Sequence, residues 1–387
     1  MSYGQPPRQG YGSTRRMQQP VPDQRVLPDR GQYGDPRDPR WQGDPRRPGD
    51  WQPADGQPPV GPPPRRKRRH VGRILLIILL AFVLLIGGIW LYLELNLNKV
   101  EALGDYEGRP AAGAGANWLI VGSDSRAGLS AEDQERLATG DAKGQRTDTM
   151  MLLHIPDNDT KPTLVSLLRD SYVDIPGHGK NKLNAAYAFG GPKLLAQTVE
   201  LNTKLRLDHY AEIGFGGFAD LVDAVGGVDM CLKDPINDPL AGIKLPAGCQ
   251  ELNGEQALGY VRTRATPRAD LDRVVHQREF IGALTDKATS WTTLINPFRM
   301  FPLIANAPGA LTVDKGDHLY NLPSLAFAIG GASNGHTITT TVPMGGSVRT
   351  ANAGAAITWD QAKKTRLFDA LRTDQEVPAD VLVDVPH

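Results

Sequence analysis

Cysteine is almost missing from this chain: Cys231 and Cys249 are the only two in 387 residues. No C-x-x-C spacing and no histidine pair flanks either one, so nothing points to a zinc site. Net charge is missing too, with 43 basic residues against 43 acidic. The more informative absence is local. From Ile74 to Leu93 there is no charged residue at all. Before that gap, residues 1–73 hold 15 Lys/Arg against 7 Asp/Glu; after it, residues 94–387 hold 28 against 36. The chain is a basic tail, an apolar rod and a mildly acidic body, and the body is long enough for one domain with a full core.

Residues 1–64 carry 15 of the 31 prolines and few aliphatic side chains. Such a stretch buries too little apolar surface to offset the entropy of ordering, so residues 1–70 read as a disordered, Pro/Gly-rich cytoplasmic tail. The run Arg65–Arg69 then leads into 71–93, whose uncharged core matches the roughly 20 residues that cross a bilayer as a helix. Basic residues before the span keep the tail inside and put the body outside, a single-pass type II arrangement at the cell membrane. A cleavable signal peptide, with its shorter apolar core, is the weaker alternative. Residues 94–116 read as a juxtamembrane connector and 117–387 as the extracytoplasmic domain. Outside the membrane Cys231 and Cys249 form one disulfide, or they are two separate buried thiols.

The body alternates short apolar runs with helical patterns. Asn117–Val121, Met150–Ile155, Thr163–Leu168, Tyr210–Ile213 and His336–Val342 read as strands. Pro192–Leu205, Phe215–Val225 (stopped by Gly226-Gly227), Gly254–Tyr260, Asp272–Ala288 and Trp359–Leu371 read as helices. Strands interleaved with helices on one core argue an α/β sandwich.

Arginines and acids sit at the ends of these elements. Asp124 follows the first strand, Arg146 and Asp148 precede the second, Arg169 and Asp170 follow the third, Arg262 and Arg264 end a helix, and Arg273 opens another. Ligands of α/β sheets bind at strand ends. Guanidinium forks there suit phosphate oxygens. Two carboxylates beside them repel an anion unless a hard cation such as Mg²⁺ lies between. Taken singly, each motif has an ordinary reading, with Asp124 and Asp148 capping turns or pairing with Arg126 and Arg146. Arg262 and Arg264, two apart, share a face if the chain is extended there.

Together the strings NWLIVGSDSR, RTDTMMLL, SLLRDSYVDIPG, KLNAAYAFGG, GFADLVDAVGGVDM, LNGEQALGYVRTR and DLDRVVHQREF resemble the LytR-CpsA-Psr family of cell-wall ligases, in the family's order. The resemblance implies an αβα sandwich with a mainly antiparallel central sheet. It implies a Mg²⁺-dependent phosphotransferase that moves a glycopolymer phosphate from a polyprenyl-diphosphate carrier onto peptidoglycan. By match of motif, Asp124 and Asp148 are the metal-binding residues. Arg146, Arg169, Arg262, Arg264 and Arg273 are the diphosphate-binding arginines, Gln277 contacts the diphosphate, and Lys182 and Asn184 lie near the headgroup. Arg262, Arg264, Asp124 and Asp148 are the expected catalytic set. One departure stands out: where the family reads Arg-Gln-Gln, this chain reads His276-Gln277-Arg278. Competing readings are a pyrophosphatase that hydrolyses the carrier, and a non-catalytic carrier-binding scaffold. A nucleic-acid partner is disfavoured, because phosphate contacts want a basic surface and the body is acidic.

Overall fold

The computed structural model describes residues 68–124, 129–137, 147–263, 265, 270–332 and 334–383. Of the tail expected to be disordered, only residues 68–70 are among them. Arg146 and Arg264 lie outside.

Helix α1 (Arg68–Asn96) holds the uncharged run, and its stretch Val71–Asn96 is long and apolar enough to cross a membrane. Its last turn is tied to the body. Glu94 accepts from Leu319 N at 2.9 Å and His318 Nδ1 at 2.6 Å, and pairs with Lys99 Nζ at 2.9 Å.

The body follows in this order: β1 (Asn98–Val100), β2 (Ala116–Ser123), α2 (Ala131–Arg136), β3 (Thr147–Ile155), β4 (Thr163–Ser166), the hairpin β5 (Tyr172–Ile175) and β6 (Gly179–Lys182), α3 (Leu183–Thr203) and β7 (His209–Ile213). Next come α4 (Phe215–Ala224), the short strands β8 (Val228–Leu232), β9 (Ile236–Asp238), β10 (Ile243–Leu245) and β11 (Gly248–Leu252), then α5 (Gly254–Arg262), α6 (Asp270–Thr289), α7 (Trp291–Leu294) and α8 (Pro297–Ala310). The chain closes with β12 (Leu311–Asp314), α9 (Leu322–Gly330), β13 (Ile338–Thr341), β14 (Met344–Thr350), β15 (Gly354–Trp359) and α10 (Gln361–Arg372).

Seven strands form the central sheet in the order β1-β12-β7-β2-β3-β4-β13. Three neighbouring pairs are antiparallel (β12·β7, β2·β3, β3·β4) and three parallel (β1·β12, β2·β7, β4·β13). The sheet is therefore mixed, with antiparallel pairing less dominant than expected. These directions put the ends of β2, β4, β7 and β13 and the start of β3 on one edge.

Period-two alternation gives the sheet two apolar faces. Leu119, Val121, Met150, Leu152 and Val165 pack against Leu195 and Val199 of α3 and Leu367 and Phe368 of α10. Trp118, Met151, Leu153, Leu164 and Ala211 pack against Leu325, Ala328 and Ile329 of α9. Helices cover both faces, as an αβα sandwich requires. A further cluster joins α4, α5 and Phe280 of α6 to the small strands. There Cys231 and Cys249 stand opposite each other on β8 and β11 and form a disulfide.

Residues 94–116 are more than a connector. β1 extends the sheet, and Ala102 is fully buried, its N–H donating to Asp314 Oδ1 at 2.9 Å. Gly217 of α4 marks a close helix contact: a methyl there would lie 2.5 Å from the Cα and carbonyl oxygen of Ala310. Backbone cannot retreat as a side-chain tip can. Gly217→Ala is therefore expected to destabilise the fold by about 1–3 kcal/mol, measured as a lowered thermal midpoint.

Candidate functional site

The sheet edge is built by a register change. Gly122 pairs with Thr149 but Ser123 pairs with Thr147, so Asp148 is the extra residue of a β-bulge. Bulges redirect side chains, and they recur beside functional sites. Asp124, next along the chain from Ser123, follows the end of β2.

Arg169 comes from the turn after β4. Its Nη1 donates to Asp148 Oδ1 at 2.9 Å and its Nε to Asp170 Oδ2 at 3.3 Å. Lys182 Nζ pairs with Asp170 Oδ1 at 2.7 Å. Acids and bases thus alternate from Asp148 through Arg169 and Asp170 to Lys182. Asn184 N donates to Arg169 O at 3.1 Å and Leu183 N to Ser171 O at 2.8 Å, so the first turn of α3 is locked onto the Arg169 turn. Asp148 is about two-fifths exposed and Arg169 about one-fifth, which leaves the pair open to a ligand.

Behind the edge, Glu212 of β7 accepts from Tyr187 OH at 2.7 Å and from Tyr210 OH at 2.6 Å. Burial, reinforced by the Glu212 carboxylate, pushes both phenols well above their ordinary range, so they remain donors. Asp124 adds to the shift at Tyr187, which places its charge near this buried triad.

A second group lies on α5 and α6. Arg262 closes α5; its Nη1 donates to Leu137 O at 3.1 Å and its guanidinium lies 4.7 Å from the Phe215 ring centroid. Arg262 and Arg264 were expected to share a face if the chain is extended there. Arg262 is still helical, the chain becomes extended only at Thr263, and Arg264 is outside the described residues. Gln277 is buried, and its Nε2 donates to Val261 O at 3.2 Å, pinning α6 to the end of α5. Arg273 lies on α6 about one turn before Gln277, its side chain outside the described residues. His276 stacks on Tyr260 at 4.6 Å between ring centroids.

The structure therefore gathers Asp148, Arg169, Lys182 and Asn184 at one edge, with Asp124 beside them and Arg262 and Gln277 on the adjoining helices. Asp170, next to Arg169 in the sequence, bridges Arg169 and Lys182. The Tyr187–Glu212–Tyr210 triad gave no sequence signal, since its members come from two distant elements.

Among the described residues, no three His, Cys, Asp or Glu side chains converge as a metal cage. Asp124 and Asp148 offer the donor set of a different kind of site: hard oxygens, one or two carboxylates, with water and ligand phosphate completing the shell, as Mg²⁺ prefers.

An edge of alternating carboxylates and cations at strand ends is where α/β proteins hold oxyanions. The chain belongs to the LytR_cpsA_psr family, whose model matches residues 96–369. It is 51% identical over 326 residues to the probable cell wall biosynthesis protein LcpB of Corynebacterium glutamicum, covering 82% of this chain and 77% of that one. It is 34% identical over 223 residues to the polyisoprenyl-teichoic acid–peptidoglycan teichoic acid transferase TagU of Enterococcus faecalis, covering 57% of this chain and 71% of that one. The LytR-Csp2A-Psr enzyme from Actinomyces oris shares the fold, with a TM-score of 0.53 at 21% identity over 72% of this chain and 96% of that one. The resemblance carried by the sequence motifs is thereby confirmed.

Proposed function

We propose that this protein is a membrane-anchored transferase that moves a glycopolymer, with its linking phosphate, from a polyprenyl-diphosphate carrier to peptidoglycan. The observation that carries this reading is the Asp148–Arg169–Asp170–Lys182 series at the sheet edge. It supplies fixed cations for a diphosphate, and the relatives it is found with include a teichoic acid transferase. α1 anchors the chain, and the basic run before it orients the body outward.

In this reading Arg169, Arg262 and Lys182 bind the diphosphate oxygens, joined by Arg146, Arg264 and Arg273 from the motifs they complete. Asp124 and Asp148 would hold Mg²⁺, which when bound supplies charge neutralisation at the phosphates. A peptidoglycan sugar hydroxyl forms a bond to the glycan-bearing phosphorus, loses its proton, and polyprenyl phosphate departs. Phosphoryl transfer depends chiefly on positioning and charge stabilisation, so a site of arginines and a hard cation suffices.

The test uses the full chain in lipid nanodiscs with a polyprenyl-diphosphate-linked oligosaccharide, peptidoglycan oligomers and Mg²⁺. Mass spectrometry is expected to find a phosphodiester-linked glycan–peptidoglycan product, and EDTA is expected to lower its rate at least about tenfold. Release of glycan phosphate without attachment would replace this reading with hydrolysis of the carrier. Carrier binding with no turnover would make the protein a scaffold.

A further inference from the structure

Arg278 is held differently from Arg169 and Lys182. It projects from α6 toward the sheet and donates through Nε to Ser166 Oγ at 2.9 Å, and through Nη2 to Thr341 Oγ1 at 2.7 Å and to the carbonyl oxygen of Thr340. All three acceptors are neutral. No carboxylate pairs with it among the described residues, and Nη1 makes no hydrogen bond there. Arg169, Lys182, Arg109 and Lys287, by contrast, each meet an Asp or Glu.

A half-buried guanidinium without a counterion is costly. Burial alone draws its pKa down to about 10, with no opposing carboxylate. Its location is specific. Ser166 ends β4 and pairs with Thr341 at the end of β13, both on the edge that carries Asp148. Arg169 follows Ser166 by three residues. Gln277 is its neighbour on α6.

We propose that Arg278 is an anion-binding residue of this same site, its guanidinium held at the ends of β4 and β13 to take a phosphate oxygen of the substrate through the free Nη1. The inference rests on the transferase reading for the identity of the substrate, but not for the chemistry, which asks only for a diphosphate-like anion. The three neutral acceptors fix the plane of the fork without neutralising it, so the charge remains available to the ligand. A residue that served only to clamp α6 to the sheet would need hydrogen bonds but no net charge.

The probe is inorganic pyrophosphate, titrated calorimetrically against the full chain in nanodiscs. Arg278→Gln, which keeps a donor and removes the charge, is expected to weaken binding about tenfold or more, with a thermal midpoint as high as that of the unsubstituted protein. Arg278→Lys, which keeps charge but loses the fork, is expected to fall between them. Binding unchanged within twofold in Arg278→Gln, with a lowered midpoint, would overturn the proposal in favour of a clamp. A second measurement needs no variant. Pyrophosphate is expected to protect Arg278 of the unsubstituted protein from phenylglyoxal, read by peptide mass spectrometry, and equal labelling with and without pyrophosphate would overturn it. The two readings fail separately. Transfer with an unchanged carrier KM in Arg278→Gln removes this proposal and leaves the transferase standing. Arg278-dependent pyrophosphate binding without transfer does the reverse.

Discussion

Transfer by the Arg169→Ala protein is expected to fall by about 10²–10³-fold, on the order of 3–4 kcal/mol of transition-state stabilisation. Two effects add. Arg169 is the cation shared between Asp148 and Asp170, at 2.9 and 3.3 Å, and its removal takes away a fixed positive charge where a diphosphate would bind. It also deprives both carboxylates of the cation they share, Asp170 keeping Lys182. The edge would then draw an anion less strongly. Arg169→Lys keeps the charge, but a single ammonium cannot bridge two carboxylates as the fork does, so partial activity is expected. Both variants should keep their thermal midpoints within a few degrees, because the side chain is partly exposed and salt bridges in that setting contribute little to stability. Steady-state rates measured with the nanodisc assay check this. Full activity in Arg169→Ala would remove the series of alternating charges from the mechanism.

How much of this edge was legible in sequence depends on whether the information was local. Asp124, Arg169 and Arg262 were found because each follows an apolar run or ends a helical pattern, and such ends are marked by neighbours in the chain. The bulge that displaces Asp148 was not legible, since it arises from a register shift between β2 and β3. A helix was expected only from Pro192, so the first half of α3 went unassigned. The structure runs helix on both sides of a kink there, with Gly190 at φ −147° and Gly191 at φ 63°. Residues 291–330, which hold four prolines, drew no assignment. In the structure two of those prolines begin helices: Pro297 opens α8 after Asn296, whose side chain accepts from Phe298 N, and Pro323 lies in the first turn of α9, while Pro302 and Pro308 fall within α8. Trp359, read as the start of the last helix, instead ends β15, and Asp360 caps α10.

Glu200→Ala is expected to destabilise the fold by about 3–5 kcal/mol, the cost of stranding a buried charge. Glu200 lies on α3 with its side chain almost wholly buried, and Arg109, from the segment read as a connector, is 10% exposed. The carboxylate accepts from Arg109 Nε at 3.1 Å, Tyr106 OH at 2.7 Å and Leu207 N at 2.9 Å. Arg109 donates onward to Leu207 O at 2.9 Å. Burial works against the charge on Arg109, but Glu200 and Asp105 together outweigh it and hold the guanidinium above its ordinary value. Remove the carboxylate, and Arg109 keeps only the Leu207 carbonyl and the highly exposed Asp105. The consequence is positional as well as energetic. Residues 98–109 run from β1 to this pair, so the Glu200 anchor fixes how the body is carried by α1. A double-mutant cycle separates the two. If Arg109→Met restores most of the midpoint lost in Glu200→Ala, the cost was the stranded charge. If both variants lose the same stability singly and together, the network acts as one unit that seats the connector, and loosening it should lower transfer from a membrane-embedded carrier more than pyrophosphate binding.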